Sequence, residues 1–386
     1  MDSDQLIAQA QEATGLDDLG PSTFRDGLDR LVDSLGSEAR LNDAGRAAAP
    51  AVLSRYLANR LQVIDWHHRH PDMAAADVLP PVVMIGMGRT GTTILFDLLA
   101  QDPANRVPRT WEVDRPCPPP ETATYETDPR ISEVQAGIDL LMAHQPSFLA
   151  MHPLGARLGQ ECISMTGCEF ASLIFASQFR LPSYQSWLTN DADLAPAYAF
   201  HRKFLQLLQW HHRGERWVLK SGAHQWSLPA LVAAYPRAVY IQTHRDPVRV
   251  LPSLATLFAT VHRGMSDDVG LPLVAADWAE STLDALDRSV TAREDGLIPP
   301  GRAVDVDYVG FMREPIGTVR RIYEQLGMSL PSAAEARMRA FLAAHPADAH
   351  GVFRYSLADC GLDAGWINER ARRYCEYFSV SPEPAP

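Results

Sequence analysis

Short runs of apolar residues alternate along much of the chain with stretches in which apolar residues recur every three or four positions. The first run, residues 81–85, passes through a glycine-rich loop into Ile94, Leu95 and Leu98 at helical spacing. Three later runs occupy residues 217–220, 239–243 and 303–306, and the helical patterns that follow them occupy 228–235, 248–259 and 311–326. Continuous apolar runs are typical of strands buried on both faces of a parallel sheet. The pattern predicts an α/β fold, a parallel sheet flanked by helices on both faces.

Two long segments depart from this alternation. Residues 1–78 have helical periodicity and predict an N-terminal helical cap. The stretch from about 104 to 215 opens with a proline-rich loop and continues as helices rich in aromatic residues, which predicts a helical insert that forms a lid over a binding site. The α/β domain then spans 79–380, and the polar segment 381–386, SPEPAP, is expected to be disordered.

Composition and charge narrow the classes of function. A chain of 386 residues with 46% hydrophobic content can bury a sizeable core, and its net charge of -12 argues against nucleic-acid binding. The acidic start lacks the features of a signal peptide, and no run reaches the ~18 apolar residues of a membrane span. We therefore expect a cytoplasmic protein that does not span a membrane. The five cysteines include no C-x-x-C pair, so neither a disulfide framework nor a zinc site is indicated.

The glycine-rich loop, GMGRTGTT at residues 86–93, matches the phosphate-loop template G-x-x-x-x-G-K-S/T except that Thr92 replaces the lysine. Glycines let backbone N–H groups approach an anion, and the following helix contributes the positive end of its dipole. Without the lysine, the usual triphosphatase loop loses its cation, and Arg89 supplies one from another direction. The loop predicts binding of an anionic donor other than a metal-bound triphosphate. A turn that serves packing alone is the alternative.

A second motif follows the third apolar run, where the strand leads into His244-Arg245-Asp246-Pro247 and then a helix. Arg245 stands at the carboxyl end of a strand, where open α/β sheets bind ligands. A planar guanidinium recognises phosphate through two parallel hydrogen bonds. Arg245 is therefore predicted to bind a phosphate, although a structural salt bridge is the other interpretation.

Together these motifs resemble those of the sulfotransferases that use 3′-phosphoadenosine 5′-phosphosulfate. The residues RTGTT and HRDP within them are more similar to the bacterial members than to the animal cytosolic ones. Three blocks agree in order and spacing, 86–93, 217–224 and 239–253, and the resemblance covers about 80–345. It implies a P-loop-like fold in which the insert lies on the acceptor side. It also implies that the 3′-phosphate is held by Arg245 and Ser253. The residues that it assigns to the 5′-phosphosulfate are Arg89, Thr90, Gly91, Thr92 and Thr93.

The same resemblance implies that Lys220 stabilises the bridging oxygen of the donor, with Arg89 as a second fixed cation. The general base stays open between Glu161 and His224, and His152 or no base at all are further options. Animal cytosolic members carry a histidine two residues after the lysine, whereas His224 lies four after Lys220. Glu161 falls in a predicted helical stretch of low charge, where apolar surroundings would raise its pKa. A sulfuryl group carries one charge, so fixed cations can suffice and no metal is expected.

The resemblance implies that the acceptor is a hydroxyl or an amine. The aromatic residues of the insert indicate that this group belongs to an apolar or aromatic small molecule or to a lipid. The candidates for its pocket are Trp111, Glu112, Phe148, Phe170, Phe175, Tyr184 and Trp187. Residues 353–356 resemble the last block of the family, where His350, Gly351 and Arg354 are further candidates for the 3′-phosphate.

Two other functions stay open at this point. The first is a P-loop kinase of a small metabolite, with Asp305 or Asp307 as the acid on the metal side. The second is a nucleotide-binding module without catalysis. The sequence does not predict an oligomeric state.

Overall fold

The computed structural model describes residues 1–144, 148, 151–346 and 353–384. Its centre is a parallel sheet of five strands in the order β2-β3-β1-β4-β5. The strands are β1 (Pro81–Met84), β2 (Asn105–Arg106), β3 (Arg216–Lys220), β4 (Val239–His244) and β5 (Ala303–Asp307). The four predicted strands are present to within one residue at either end, and the predicted α/β class is confirmed. β2 was not predicted, since two polar residues give no apolar run.

The register of the sheet brings three motifs to one edge. Met84 at the end of β1 lies opposite Lys220 of β3 and Ile241 of β4. β4 continues to His244, which lies opposite Asp307. Because all strands are parallel, the glycine-rich loop, Lys220 and Arg245 emerge at the carboxyl edge of the sheet, where such sheets bind ligands.

Helices cover both faces of the sheet and account for the N-terminal region and the insert. The helices are α1 (Ser3–Thr14), α2 (Phe24–Ser37), α3 (Asp43–Arg69), α4 (Pro71–Ala75), α5 (Thr92–Leu99), α6 (Thr110–Asp114), α7 (Pro129–His144), α8 (Cys162–Thr166), α9 (Leu173–Gln178), α10 (Pro182–Asn190), α11 (Ala195–Leu208), α12 (Leu228–Ala234), α13 (Pro247–Met265), α14 (Leu271–Glu294), α15 (Tyr308–Arg313), α16 (Pro315–Gln325), α17 (Ser332–Ala344), α18 (Leu357–Cys360) and α19 (Ala364–Phe378). Within the described ranges, no helix combines the length and apolarity needed to cross a membrane.

The N-terminal helices share a hydrophobic core with the insert. Leu28, Leu57 and Phe175 belong to one buried cluster that also includes residues of the sheet. The side chain of Arg60, in α3, is 1% exposed. It forms an ion pair with Glu169, whose side chain is 3% exposed. The helical region 1–78 therefore packs as part of the body of the protein.

The insert begins and ends beside β3. β2 pairs in parallel with β3, so that Asn105 lies opposite Arg216. The N–H groups of Glu215 and Arg216 both donate to the carbonyl of Ala104, at 2.9 and 3.2 Å. The two ends of the insert are thus neighbours in the sheet.

Candidate active site

The glycine-rich loop turns sharply between β1 and α5. Arg89 and Gly91 have φ values of 70° and 83°, in the left-handed region. A Cβ atom at Gly91 would lie 3.1 Å from the Tyr308 ring, so both the backbone and the space there favour glycine. Gly91 is also the N-cap of α5, and because it has no side chain, the first N–H groups of the helix have no capping side chain. Unsatisfied N–H groups at a helix N-terminus attract an anion.

The threonines of the loop have different surroundings. The Thr90 hydroxyl donates to the Met87 carbonyl and lies 2.5 Å from the Thr243 hydroxyl, with 1% of Thr90 exposed. Its side chain therefore holds the loop against β4, and the backbone N–H is the part of Thr90 left for a ligand. Thr92 is buried as well, whereas the Thr93 hydroxyl accepts a hydrogen bond from Lys220 at 3.2 Å.

Lys220 joins the loop to the insert. Its side chain is 2% exposed, and its Nζ lies 2.9 Å from Oε1 of Glu161, which is 23% exposed. Glu161 is the N-cap of α8 in an extended conformation, so the prediction that it lies within a helix is wrong. The structure brings Glu161 and Lys220 together on the ligand side of the sheet.

The pKa of Glu161 moves opposite to the prediction. Burial alone would raise the pKa of the carboxyl. The positive charge of Lys220, the nearby His152, and hydrogen bonds from Lys220 and Ser221 outweigh burial and lower the pKa below its usual range. The sequence suggested apolar surroundings because Lys220 is far away along the chain. Glu161 is therefore ionised at neutral pH.

Met151 and His152, both in the insert, lie next to the glycine-rich loop and Lys220. The Arg89 guanidinium donates to the Met151 carbonyl at 2.6 Å. Burial, together with the charge of Lys220, lowers the pKa of His152 to about 4, so its imidazole is neutral. His152 thus shares the surroundings of Lys220 and Glu161.

His224 lies beside a cavity that Ser221 also lines. It lies in a short 3₁₀ turn, Gly222–Trp226, and its Nδ1 is 2.6 Å from the Tyr198 hydroxyl. Burial and the nearby His201 lower the pKa of His224 to about 3. Among the described residues, its Nε2 has no hydrogen-bond partner. His224 lines a cavity of about 30 Å³ whose other walls include Cys162, Ile163, Leu173, Leu188, Ala197 and Tyr198.

Arg245 and Ser253 converge on the loop from the other side. Arg245 donates to the Arg89 carbonyl at 3.1 Å, and Arg89 donates through Nε to the Ser253 hydroxyl at 3.0 Å. The Arg245 guanidinium stacks on the Tyr308 ring at 3.9 Å. Burial and the nearby Arg245 lower the pKa of Arg89, and both guanidinium groups stay charged. Three cations, Arg89, Lys220 and Arg245, therefore surround the uncapped end of α5.

The last predicted block also approaches this side. Phe353 lies under the Arg89 guanidinium at 5.2 Å, and Tyr355 lies under that of Arg249 at 5.4 Å. Arg354 is exposed. His350 and Gly351 lie outside the described residues.

The segment 381–384 differs from its prediction. It was expected to be disordered, yet Glu383 accepts two hydrogen bonds from Arg245, at 2.9 and 3.1 Å. The segment is held because Arg245 offers a planar pair of donors that a carboxylate matches. Its polar, proline-containing composition gave no sign of this distant partner.

Six of the seven candidates for the acceptor pocket lie in hydrophobic cores or in a buried ion pair, which corrects their assignment. The seventh, Phe148, has its ring centroid 6.0 Å from that of His152, and its assignment stays a prediction. Each core position excludes solvent, and Glu112 is fully buried in an ion pair with Arg106. The fully buried aromatic residues are Trp111, Phe170, Phe175 and Tyr184. Trp187 packs against the same core while partly exposed, and Phe148 is also partly exposed. Short helices of the insert need these rings to fill their own interior.

Both aspartates at the end of β5 are occupied by protein groups. Asp305 accepts from Arg293 at 2.6 Å and lies 3.0 Å from Nε2 of His244. Asp307 caps α15 by accepting from the Gly310 N–H at 2.6 Å. The arrangement gives each carboxylate a structural role at the edge of the sheet, unlike the free acid that the kinase hypothesis needs.

Several residues of the site carried no clear sequence signal. Met151 and Tyr308 reach the site through the fold, and neither belongs to one of the three motif blocks. Ser221 lies in the block 217–224, but no role was assigned to it. Tyr308 directly follows Asp307, the last residue of β5 at the ligand edge, which is the one signal that pointed to it.

Comparisons with known proteins agree with this geometry. The family model described as the sulfotransferase family matches residues 80–332. The structure is similar to the crystal structure of sulfotransferase STF9 from Mycobacterium avium, with 30% identity, a TM-score of 0.88, and coverage of 98% of this chain and 97% of that one. It is also similar to sulfotransferase STF1 from Mycobacterium tuberculosis H37Rv, with 30% identity, a TM-score of 0.85, and coverage of 96% and 98%.

The name of a third relative includes the acceptor of its reaction. The chain is 26% identical over 339 residues to the omega-hydroxy-beta-dihydromenaquinone-9 sulfotransferase Stf3 of Mycobacterium bovis. The match covers 84% of this chain and 81% of that protein.

Proposed function

The chain belongs to the sulfotransferase family, and on that premise we propose that it transfers a sulfuryl group from 3′-phosphoadenosine 5′-phosphosulfate to a hydroxyl of an apolar small molecule or lipid. The observation that carries this proposal is the convergence of Arg89, Arg245 and Ser253 beside a phosphate loop that lacks its lysine. Family membership sets aside the kinase and the module without catalysis.

The residues fit the two anionic ends of this donor. Arg245 and Ser253 provide a guanidinium and a hydroxyl for the 3′-phosphate. The backbone N–H groups of residues 90–93 and the uncapped end of α5 suit the 5′-phosphosulfate. Arg89 lies between the two sets, since it contacts Ser253 while its carbonyl contacts Arg245.

The donor, when bound, supplies the sulfuryl group and a phosphate leaving group for an in-line displacement. Lys220 then donates to the bridging oxygen, which gains the electron pair of the broken S–O bond. Thr93 orients Lys220 through their hydrogen bond. Glu161 accepts the proton of the acceptor hydroxyl as the new O–S bond forms.

Glu161 is the base that the geometry favours over His224. It is ionised, partly exposed, and in contact with Lys220 at 2.9 Å. His224 is buried, and its Nδ1 is already paired with the Tyr198 hydroxyl. Because the Lys220 ammonium has three N–H donors, it can donate to the bridging oxygen while it keeps its contact with Glu161, and the carboxylate stays ionised beside the acceptor.

The acceptor class rests on the relative and on the insert. Stf3 is named for a hydroxylated menaquinone, which has an apolar body and a hydroxyl. The insert of this chain contributes Glu161 and His152 to the site, so the acceptor hydroxyl is expected to approach from that side. A hydroxylated apolar acceptor fits both observations.

Calorimetry with adenosine 3′,5′-bisphosphate in the absence of Mg²⁺ tests the donor assignment. We expect binding by the intact chain, because the site offers fixed cations. Binding of ATP that requires Mg²⁺, with no affinity for the bisphosphate, would defeat the proposal. A screen of hydroxylated lipids and phenols with the phosphosulfate donor would then identify the acceptor.

The variant Arg245→Ala tests the 3′-phosphate assignment. We expect the bisphosphate to bind about 100-fold more weakly or not at all, because two charge-assisted hydrogen bonds are lost. Arg237→Ala is the matched control, since Arg237 is 66% exposed and precedes β4 at the opposite edge of the sheet. Equal affinities for the two variants would contradict the assignment.

A further inference from the structure

A carboxylate of the protein itself occupies the donors of Arg245. Oε1 and Oε2 of Glu383 accept from Nε and Nη2 of Arg245, at 2.9 and 3.1 Å. Both side chains are largely buried, with 11% of Arg245 and 15% of Glu383 exposed. This paired geometry is the one in which a guanidinium binds two oxygens of a phosphate.

The segment that carries Glu383 is fixed at more than one point. The Glu383 N–H donates to Oδ2 of Asp246 at 2.8 Å, while Oδ1 of the same aspartate accepts from Val248 and caps α13. Arg249 donates to the Pro384 carbonyl at 3.0 Å. The contacts tie residues 383–384 to the first turn of the helix that carries Ser253.

Helix α19 directs the segment to this position. Tyr374 hydrogen bonds to Nδ1 of His244 at 2.9 Å, and Phe378 stacks on the same imidazole at 4.2 Å. Ser379 then reverses the chain with a φ of 53°. The helix is thus anchored on the residue that precedes Arg245, and the chain returns across the ligand edge.

We propose that Glu383 is an internal competitor of the 3′-phosphate, so that a donor or product nucleotide must displace the segment from Arg245 in order to bind. The inference rests on the proposed function, because it takes Arg245 as the 3′-phosphate ligand. Two anions cannot share one guanidinium without strong mutual repulsion. Glu383 therefore lowers the apparent affinity for nucleotides that carry a 3′-phosphate by the fraction of molecules in which it is paired.

The competition also affects specificity. A nucleotide without a 3′-phosphate has no group to replace the carboxylate on Arg245, so it leaves Glu383 in place. Its affinity should not depend on Glu383, whereas the affinity of the bisphosphate should. This difference separates a competitor at one subsite from a general loosening of the fold.

The test compares four proteins by calorimetry: the unaltered chain, Glu383→Gln, a chain shortened after Val380, and Glu376→Gln as a control. Glu376 is an exposed glutamate of α19, so its substitution makes the same charge change nearby. The ligands are adenosine 3′,5′-bisphosphate and adenosine 5′-monophosphate. Melting temperatures confirm that each form is folded.

We expect Glu383→Gln and the shortened chain to bind the bisphosphate about tenfold more tightly than the unaltered chain, which corresponds to a pairing equilibrium of about ten. The monophosphate should bind all forms equally, and Glu376→Gln should match the unaltered chain. Unchanged or weaker bisphosphate binding by both altered forms would overturn the inference while leaving the proposed function intact. Absence of bisphosphate binding in every form would overturn both.

Discussion

At the scale of single residues, the ion pair of Lys220 and Glu161 connects the donor side of the site to the insert. Lys220 is almost fully buried, so its charge needs a partner in the protein when no anion is bound. Glu161 is that partner, and Thr93 accepts a further hydrogen bond from Lys220. The pair therefore keeps the proposed base ionised and the proposed donor-side cation in place before either substrate arrives.

Replacement of this carboxylate separates binding from turnover. We expect Glu161→Gln to keep bisphosphate affinity and to lower turnover by about 10² to 10⁴, because a general base is removed. The folded state should lose about 2 kcal/mol, less than for a fully buried pair, because Glu161 is partly exposed. Rates with a true acceptor and denaturant melts measure both effects. Glu215→Gln, at a site 75% exposed, is the control, and normal turnover by Glu161→Gln would contradict the assignment.

The pH dependence of the acceptor reaction follows from the lowered pKa of Glu161. A carboxyl whose pKa lies below its ordinary value of 4.5 stays ionised from neutral pH down to about pH 5. At saturating donor, kcat/KM for the acceptor should therefore be constant between pH 7 and about pH 5 and should decrease at lower pH, where Glu161 is protonated. A rate measurement across this range with one acceptor checks it. An inflection near pH 6 would instead point to a carboxyl with a raised pKa or to a less buried histidine.

At the scale of elements, the loop between β1 and α5 depends on its backbone shape. Gly91 combines a φ of 83° with close contact to Tyr308, so Gly91→Ala should cost about 1–2 kcal/mol and weaken bisphosphate binding. Denaturant melts and calorimetry measure the two effects. Gly137→Ala in α7 is the control, because a Cβ atom there meets nothing within 4 Å and alanine favours a helix. If Gly91→Ala and Gly137→Ala had the same stability and the same affinity for the bisphosphate, the loop would tolerate a side chain at residue 91.

The elements that could be predicted are those whose signals are local. Buried parallel strands are rich in apolar residues, so β1, β3 and β4 were visible in the sequence, as was the loop after β1. β5, at the edge of the sheet, was visible although its buried and exposed residues alternate. The helix predicted at 311–326 is two helices, α15 and α16, separated before Pro315, since a residue that precedes proline avoids helical geometry.

The parts of the site that could not be predicted depend on distant partners. Arg245 and Ser253 could be predicted to lie near the loop because they follow one strand. The lowered pKa of Glu161 comes instead from Lys220, which is distant along the chain. Glu383 was missed for the same reason, since its partner lies on β4's carboxyl end. Local composition describes neither of these contacts.

At the scale of the whole molecule, the N-terminal helices and the insert stabilise each other through Arg60. Besides its ion pair with Glu169, Arg60 donates to the carbonyls of Leu19, Pro21 and Cys168. It therefore joins α3, the loop between α1 and α2, and the insert in one buried network. We infer that these regions unfold together.

Removal of this side chain tests that coupling. Arg60→Ala should lower the free energy of unfolding by about 3–5 kcal/mol, because Glu169 is left buried without its partner. Denaturant unfolding should keep a single transition. Arg46→Ala, at a position 60% exposed, should change stability by less than about 1 kcal/mol. Two separate transitions would show that the helical cap folds independently.

The adjacent ends of the insert have a consequence for how such proteins diversify. Residues 104 and 216 meet at neighbouring strands, which lie ~4.8 Å apart in any sheet, so the gap to be bridged is the same whatever the intervening sequence. An insert from another family member can be grafted between the end of β2 and the start of β3 without respacing these two strands. We expect a chimera that keeps a carboxylate opposite Lys220 to inherit the acceptor preference of the grafted segment and the donor preference of its host.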